Sequence, residues 1–170
     1  MVYESNHLIH RLSAAGRPGR VFATRPGGSP ISYGGLFAGA GRMAAALTEA
    51  GLEPGDRVAV QVAKSIEAIQ LYLGTVMAGG VFLPLNTAYT GAEVSYFISD
   101  ATPRIVVCDP AREGETAPLT GKAHLFTLAG DGSGTFAGAA AQAGTGFEAV
   151  PRGENDLAAI LYTSGTTGRS

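Results

Sequence analysis

Apolar positions along this chain recur in two periods, and the period switches at regular intervals. Val21-Phe22-Ala23-Thr24 and Pro30-Ile31-Ser32-Tyr33 flank a Gly27-Gly28 turn, the layout of a β-hairpin. Leu36, Ala40, Met43, Ala44 and Leu47 then follow at helical spacing, with Ser32 as N-cap and Gly51 as the stop. Gly35 stands where a capping-box glutamate would reach back. Arg57-Val58-Ala59-Val60-Gln61-Val62 has the composition of a buried strand. A second helix is expected from Ser65 towards Ala78, burying Ile66, Ile69, Leu73, Val76 and Met77 and ending at Gly79-Gly80. Val81 to Leu85 gives a third strand, and Thr90-Gly91-Ala92-Glu93 is a capping box opening a helix that buries Val94, Phe97 and Ile98. Ile105 to Cys108 forms another strand, closed by Asp109-Pro110.

Strand, helix, strand, helix, strand, in units of about 20–25 residues, predicts an α/β fold. Its sheet is expected to be largely parallel, with helices on both faces and a small N-terminal β-hairpin. Residues 111–155 are less patterned. They offer a strand at His124–Leu128, a glycine-rich loop at 130–134 and a short Ala-rich helix near Phe136. The Gly/Ala/Thr bias of residues 129–146 reads as a surface excursion. Pro151 to Asn155 connects to a final apolar run, Leu157 to Leu161, expected to be a strand buried on both faces.

With 170 residues, 45% apolar and 15% charged, the chain supports one globular core. Net charge is −2, and Lys64 and Lys122 are the only lysines, which argues against a nucleic-acid partner. No apolar stretch approaches the roughly 18–20 residues that span a bilayer. The N-terminus, with Glu4, Asn6, His7 and His10, lacks the layout of a signal peptide, so cytoplasm is the expected compartment. Cys108 is alone in an apolar strand and reads as an inert packing thiol.

The chemistry gathers at the end of the chain. Leu161-Tyr162-Thr163-Ser164-Gly165-Thr166-Thr167-Gly168 follows the last strand directly. Gly165 and Gly168 let the backbone curl towards a ligand; Thr163, Ser164, Thr166 and Thr167 supply hydroxyl donors for phosphate oxygens. Arg169 is the one cation in the segment. The pattern is not a Walker A loop, because Gly121-Lys122 lacks the upstream Gly and the following Ser/Thr. Nor is it a dinucleotide fingerprint, since the first strand–helix turn has no Gly-x-Gly-x-x-Gly. Taken alone, these residues leave a phosphate cradle and a plain turn equally open.

Tyr162 to Gly168 resembles the signature loop of the adenylate-forming superfamily of acyl-CoA synthetases, peptide-synthetase adenylation domains and luciferases. Ile31-Ser32-Tyr33-Gly34-Gly35-Leu36 resembles that family's first core motif, with Gly35 where an acidic residue is usual. Met77 to Asn86 resembles the second, and the three stand in the family's order. The phrasing of Leu83 to Thr90, Ile105 to Pro110 and Asp156 to Leu161 looks most like malonyl-CoA synthetases.

The resemblance implies the N-terminal portion of the adenylate-forming fold, with residues 1–170 a partial N-terminal domain reaching the phosphate loop. It implies ATP and Mg²⁺ as cofactors, CoA as co-substrate and malonate or a related carboxylate as acyl donor. Acyl-adenylate and pyrophosphate would form first, then acyl-CoA and AMP. Thr163, Ser164, Gly165, Thr166, Thr167 and Gly168 would hold the β- and γ-phosphates. No catalytic or metal-binding residue is carried over, because the family's lysines, metal ligand and acyl pocket follow the loop. The isolated chain is therefore expected to be inactive, and to self-associate through its last strand.

Other readings remain open at this level: a fatty acyl or aryl-CoA ligase, a free-standing nucleotide- or phosphate-binding module, or a remnant without function. Tyr162 reads as packing at the strand end rather than as a ligand contact. His7 and His10 fall one turn apart but lack a third metal ligand, and His124 reads as structural. Arg42 and Arg57 read as solvating element ends.

Overall fold

The computed structural model describes residues 5–25 and 27–163. Its element order is α1 His7–Ala15, β1 Val21–Thr24, β2 Pro30–Ser32, α2 Tyr33–Glu49, β3 Arg57–Gln61, α3 Ile66–Met77, β4 Val81–Pro84, α4 Gly91–Ala101 and β5 Ile105–Cys108. Short helical turns follow over Pro110–Leu119, including α5 Glu113–Thr116, then β6 His124–Thr127 and α6 Thr135–Gln142. β1 and β2 form the expected antiparallel hairpin. The other four strands form one parallel sheet in the order β4-β3-β5-β6.

Helix starts are set by side-chain caps. The hydroxyls of Ser32 and Ser65 accept hydrogen bonds from the N–H groups of Gly35 (3.1 Å) and Ala68 (3.0 Å). At Thr90 the capping box is complete: Thr90 Oγ1 accepts from the Glu93 N–H, and a Glu93 carboxylate oxygen accepts from the Thr90 N–H at 2.8 Å. These bonds to Thr90 hold the Glu93 carboxyl below its ordinary range. α3 stops where the backbone turns left-handed at Gly79, φ +79°. A Cβ there would stand 3.0 Å from Val150 Cγ1, so both conformation and space call for glycine.

Two cores line the sheet. One face packs Val58, Val60, Ile105, Val107 and Phe126 against α2, α3 and α6. The opposite face packs Ala59, Leu83 and Val106 against Val94, Ile98 and Ala101 of α4. Alternating strand residues thus serve opposite layers, as a doubly covered parallel sheet requires. α2 and α3 lie in close contact through glycine: a Cβ on Gly74 would meet Ala40 O at 2.8 Å.

Three expectations are corrected. Residues 129–146 are not a surface excursion, because α6 inserts Phe136 (0% exposed) and Ala140 into the larger core, and Ala143 follows just past its end. Its buried positions recur at helical spacing, which the Gly/Ala-rich composition conceals. Ile69 is not buried; it stands 41% exposed on the outer side of α3. The Leu157–Leu161 run is not a strand buried on both faces. It makes one bridge, Ala159 to Phe82, and leaves Leu157 and Leu161 62% and 70% exposed. The cause is position: the run lies along the outer edge of β4, with no strand beyond it among the described residues.

Candidate functional site

The terminal segment is placed from three sides. The Asp156 carboxylate accepts from the Gly153 N–H at 2.8 Å and pairs with Arg152 Nε at 3.5 Å, turning the chain towards the sheet. The main chain then pairs along β4, with the Phe82 N–H donating to Ala158 O (2.9 Å) and the Ile160 N–H donating to Phe82 O (3.0 Å). Ala158 packs on one core, whereas Ile160 and Tyr162 pack on the other. The chain thereby crosses the edge of the sheet onto α4.

Tyr162 is held there by two contacts. Its ring lies on Phe97 with centroids 4.5 Å apart and planes at 44°. Its hydroxyl donates a hydrogen bond to Asp100 Oδ2. Desolvation, with the Asp100 hydrogen bond second, pushes the Tyr162 phenol up to about 12. The packing reading of Tyr162 therefore matches its placement. Phe97, expected on the inner face of α4, is half-buried; Asp100 has no mark in the sequence pattern beyond its helical spacing from Phe97.

Of the predicted phosphate residues, Thr163 is described and exposed. Ser164, Gly165, Thr166, Thr167 and Gly168 lie outside the described residues. Among the described residues, no group of three or more His, Cys, Asp or Glu side chains is arranged to hold a metal ion. His7 begins α1 and His10 is exposed on it. Arg57 does more than solvate a strand end. Its guanidinium donates to Ala101 O at 2.7 Å, Thr102 O at 3.1 Å and Thr102 Oγ1 at 2.7 Å.

A groove of about 1500 Å³ opens at the C-terminal ends of β3 and β4, lined by Val62, Ser65, Phe82, Pro84 and Asn86. β3 leads into α3 on one face of the sheet and β4 into α4 on the other. The groove thus sits where the connections diverge, the usual ligand crevice of open α/β sheets. Its far wall is braced from below. Gln61 Nε2 donates to Asn86 O (2.8 Å), and the Arg112 guanidinium donates to Thr87 O and Tyr89 O, both at 2.9 Å. At its rim Arg25 pairs with Glu67. Cys108 lies away from this chemistry; burial pushes its thiol up, in keeping with an unreactive group.

The profile of the AMP-binding enzyme family matches residues 11–170. The chain belongs to that family. It is 33% identical over 169 residues to the benzoate–CoA ligase of Thauera aromatica, covering 96% of this chain and 32% of that protein. It is 32% identical over 140 residues to the long-chain-fatty-acid–CoA ligase FadD13 of Mycobacterium tuberculosis, covering 81% of this chain and 28% of that one. Among solved structures, apo MatB from Rhodopseudomonas palustris superposes with a TM-score of 0.91 at 50% identity, covering 97% of this chain and 33% of MatB. The architecture is thus that of the N-terminal part of an adenylate-forming enzyme. The chain spans about one third of the length of these relatives. No helix among the described residues is long and apolar enough to cross a membrane.

Proposed function

We propose that this chain is the N-terminal part of a cytoplasmic, ATP-dependent carboxylate–CoA ligase whose acyl substrate is malonate. The observation that carries the reading is the Tyr162–Gly168 signature, which follows the segment paired along β4 in a chain 50% identical to MatB, a malonyl-CoA synthetase. A carboxylate is a poor acyl donor; its mixed anhydride with AMP is a good one. Forming that anhydride moves negative charge onto pyrophosphate. Donors fixed in advance around the β- and γ-phosphates stabilise that charge more than they stabilise the ground state. Thr163, Ser164, Thr166 and Thr167 offer hydroxyls, and Gly165 and Gly168 offer backbone N–H groups without a Cβ in the way. CoA thiol then displaces AMP from the acyl carbon to give the thioester. Mg²⁺ would enter with ATP, since among the described residues no group of three or more His, Cys, Asp or Glu side chains is arranged to hold it.

Benzoate and long-chain fatty acids are the competing substrates, because the relatives named for them are similar over most of this chain. The test is the full product of the reading frame containing residues 1–170, assayed for pyrophosphate release with ATP, Mg²⁺, CoA and each acid in turn. Malonate-dependent release is expected. Release with benzoate or a fatty acid alone would overturn the substrate. A reading frame that stops after Ser170, or a full-length product that releases no pyrophosphate with any acid, would favour a phosphate-binding module without catalysis.

A further inference from the structure

The main chain of the terminal segment is tied to β4 only as far as Ile160. Among the described residues, no main-chain hydrogen bond holds residues 161–163. The next fixed point is a side chain. Tyr162 rests on Phe97, which also meets Tyr89 at 4.9 Å and Tyr96 at 5.5 Å between ring centroids. A phenylalanine at 162 would serve that aromatic cluster equally well. The hydroxyl adds a directed bond to Asp100, and a directed bond selects one orientation where apolar contact alone allows several.

Asp100 is itself held in place. The last turn of α4 ends in a left-handed residue, Thr102 (φ 43°), whose N–H donates to Ile98 O at 2.9 Å. Arg57 of β3 donates to Ala101 O and to both oxygens of Thr102, fastening that turn to the sheet. A continuous set of contacts therefore runs from β3 through Arg57 and the end of α4 to Asp100, and from there to Tyr162. Tyr162 immediately precedes Thr163, the first residue of the signature loop.

We propose that Asp100 and Phe97 are positioning residues that grip Tyr162, fixing beside α4 the point at which the chain enters Thr163. The proposal rests on the phosphate-binding reading of the signature loop. Neither residue touches substrate; each acts through Tyr162. Small displacements of binding donors are costly to a reaction that depends on preorganisation, up to about 10²-fold for a shift of about 1 Å. The phenol, pushed up to about 12, remains a donor at any working pH.

Two measurements test the anchor, on Asp100→Ala, Asp100→Asn and Tyr162→Phe. Asp100 is exposed, so none of these changes opens a cavity in the core. The first is hydrogen exchange on the 170-residue chain. Asp100→Ala is expected to speed exchange in peptides covering residues 159–163 and leave β5 unchanged. Asp100→Asn keeps an acceptor oxygen and should restore most of the protection. The second is kinetic, on the full reading-frame product. KM for ATP should rise about fivefold in Asp100→Ala and Tyr162→Phe, the scale of one lost hydrogen bond, with KM for the acid unchanged. Unchanged exchange at 159–163 in Asp100→Ala would overturn the anchor. So would faster exchange together with an unaltered KM for ATP. If the wild-type product activates no acid, the functional reading fails, and hydrogen exchange alone then decides whether the anchor exists.

Discussion

The carboxamide of Asn6 donates a 3.0 Å hydrogen bond to the main-chain oxygen of Val76, seventy residues away in sequence. The same nitrogen donates to Val150 O at 3.0 Å, and Oδ1 accepts from the Ile9 N–H as the N-cap of α1. Asn6 is 0% exposed. One side chain thus joins α1, the end of α3 and the strip leading to the terminal segment. Replacing it leaves the half-buried Val150 carbonyl without its donor and a helix without its cap, while Val76 O keeps the N–H of Gly79. Asn6→Ala is expected to cost about 2–3 kcal/mol. The urea midpoint should fall at constant m-value; a midpoint within error of wild type would show that water replaces the side chain without loss.

Gly74 and Gly138 should respond to alanine in opposite directions. At Gly74 a Cβ would meet Ala40 O at 2.8 Å and Ala44 N at 3.1 Å, backbone atoms that cannot swing aside. The strain of parting α2 from α3, about 1–3 kcal/mol, exceeds the gain of about 1 kcal/mol in helix propensity. Gly138, exposed on α6, has nothing within 4 Å of its Cβ position. Gly138→Ala should therefore raise the melting temperature and Gly74→Ala lower it. Shifts of the same sign would show that the α2–α3 contact gives more than its geometry indicates.

Tyr162 makes stability pH-dependent at the alkaline end. Its folded-state pKa, about 12, is raised above the ordinary value of 10.0, so the folded state favours the neutral phenol. That contribution is fully present below pH 10 and is lost as pH rises through 10 towards 12. Tyr162→Phe should flatten this part of the profile. Melting curves from pH 8 to 12 for both proteins are the check; parallel curves would mean that Asp100 does not hold the phenol in solution.

Much of this architecture is written in local pattern. The stretch from Ser32 to Cys108 alternates cleanly between periods, and its helices start where Ser32, Ser65 and Thr90 stand ready to cap them. Length and amphipathicity make such elements self-announcing. The helix near Phe136 is legible too, but its burial is not, because alanine contributes little contrast between faces. The terminal segment is hidden for a different reason. An apolar run fits equally a strand inside a sheet and one at its edge, and only the strand order β4-β3-β5-β6 decides between them. The grip of Asp100 on Tyr162 spans 62 residues and has no local signature.

If the signature loop holds phosphate, its threonines should matter to rate more than to folding. In the full reading-frame product, Thr166→Ala and Thr167→Ala are each expected to slow pyrophosphate release by about a hundredfold, the scale of one preorganised donor. Their melting temperatures should stay within a degree or two of wild type. The 170-residue chain, offering donors from one loop, should bind ATP no tighter than about millimolar. Equal melting losses without any loss of rate, or sub-micromolar affinity by calorimetry, would count against the assignment.

Leu157 and Leu161 flank the stretch that pairs with β4, and both stand more than half exposed. Ile69, 41% exposed on α3, adds a further apolar side chain to the surface. An edge segment with apolar flanks offers main-chain groups and a dry surface together, the combination that favours pairing with a second copy. The isolated chain is therefore expected to self-associate as its concentration rises, and Leu157→Lys to shift it towards monomer by placing a charge that resists desolvation at that edge. Light scattering across a concentration series, run on both proteins, measures this directly. A wild-type chain that stays monomeric at high concentration, with no change on substitution, would mean that the edge is already closed by residues of its own.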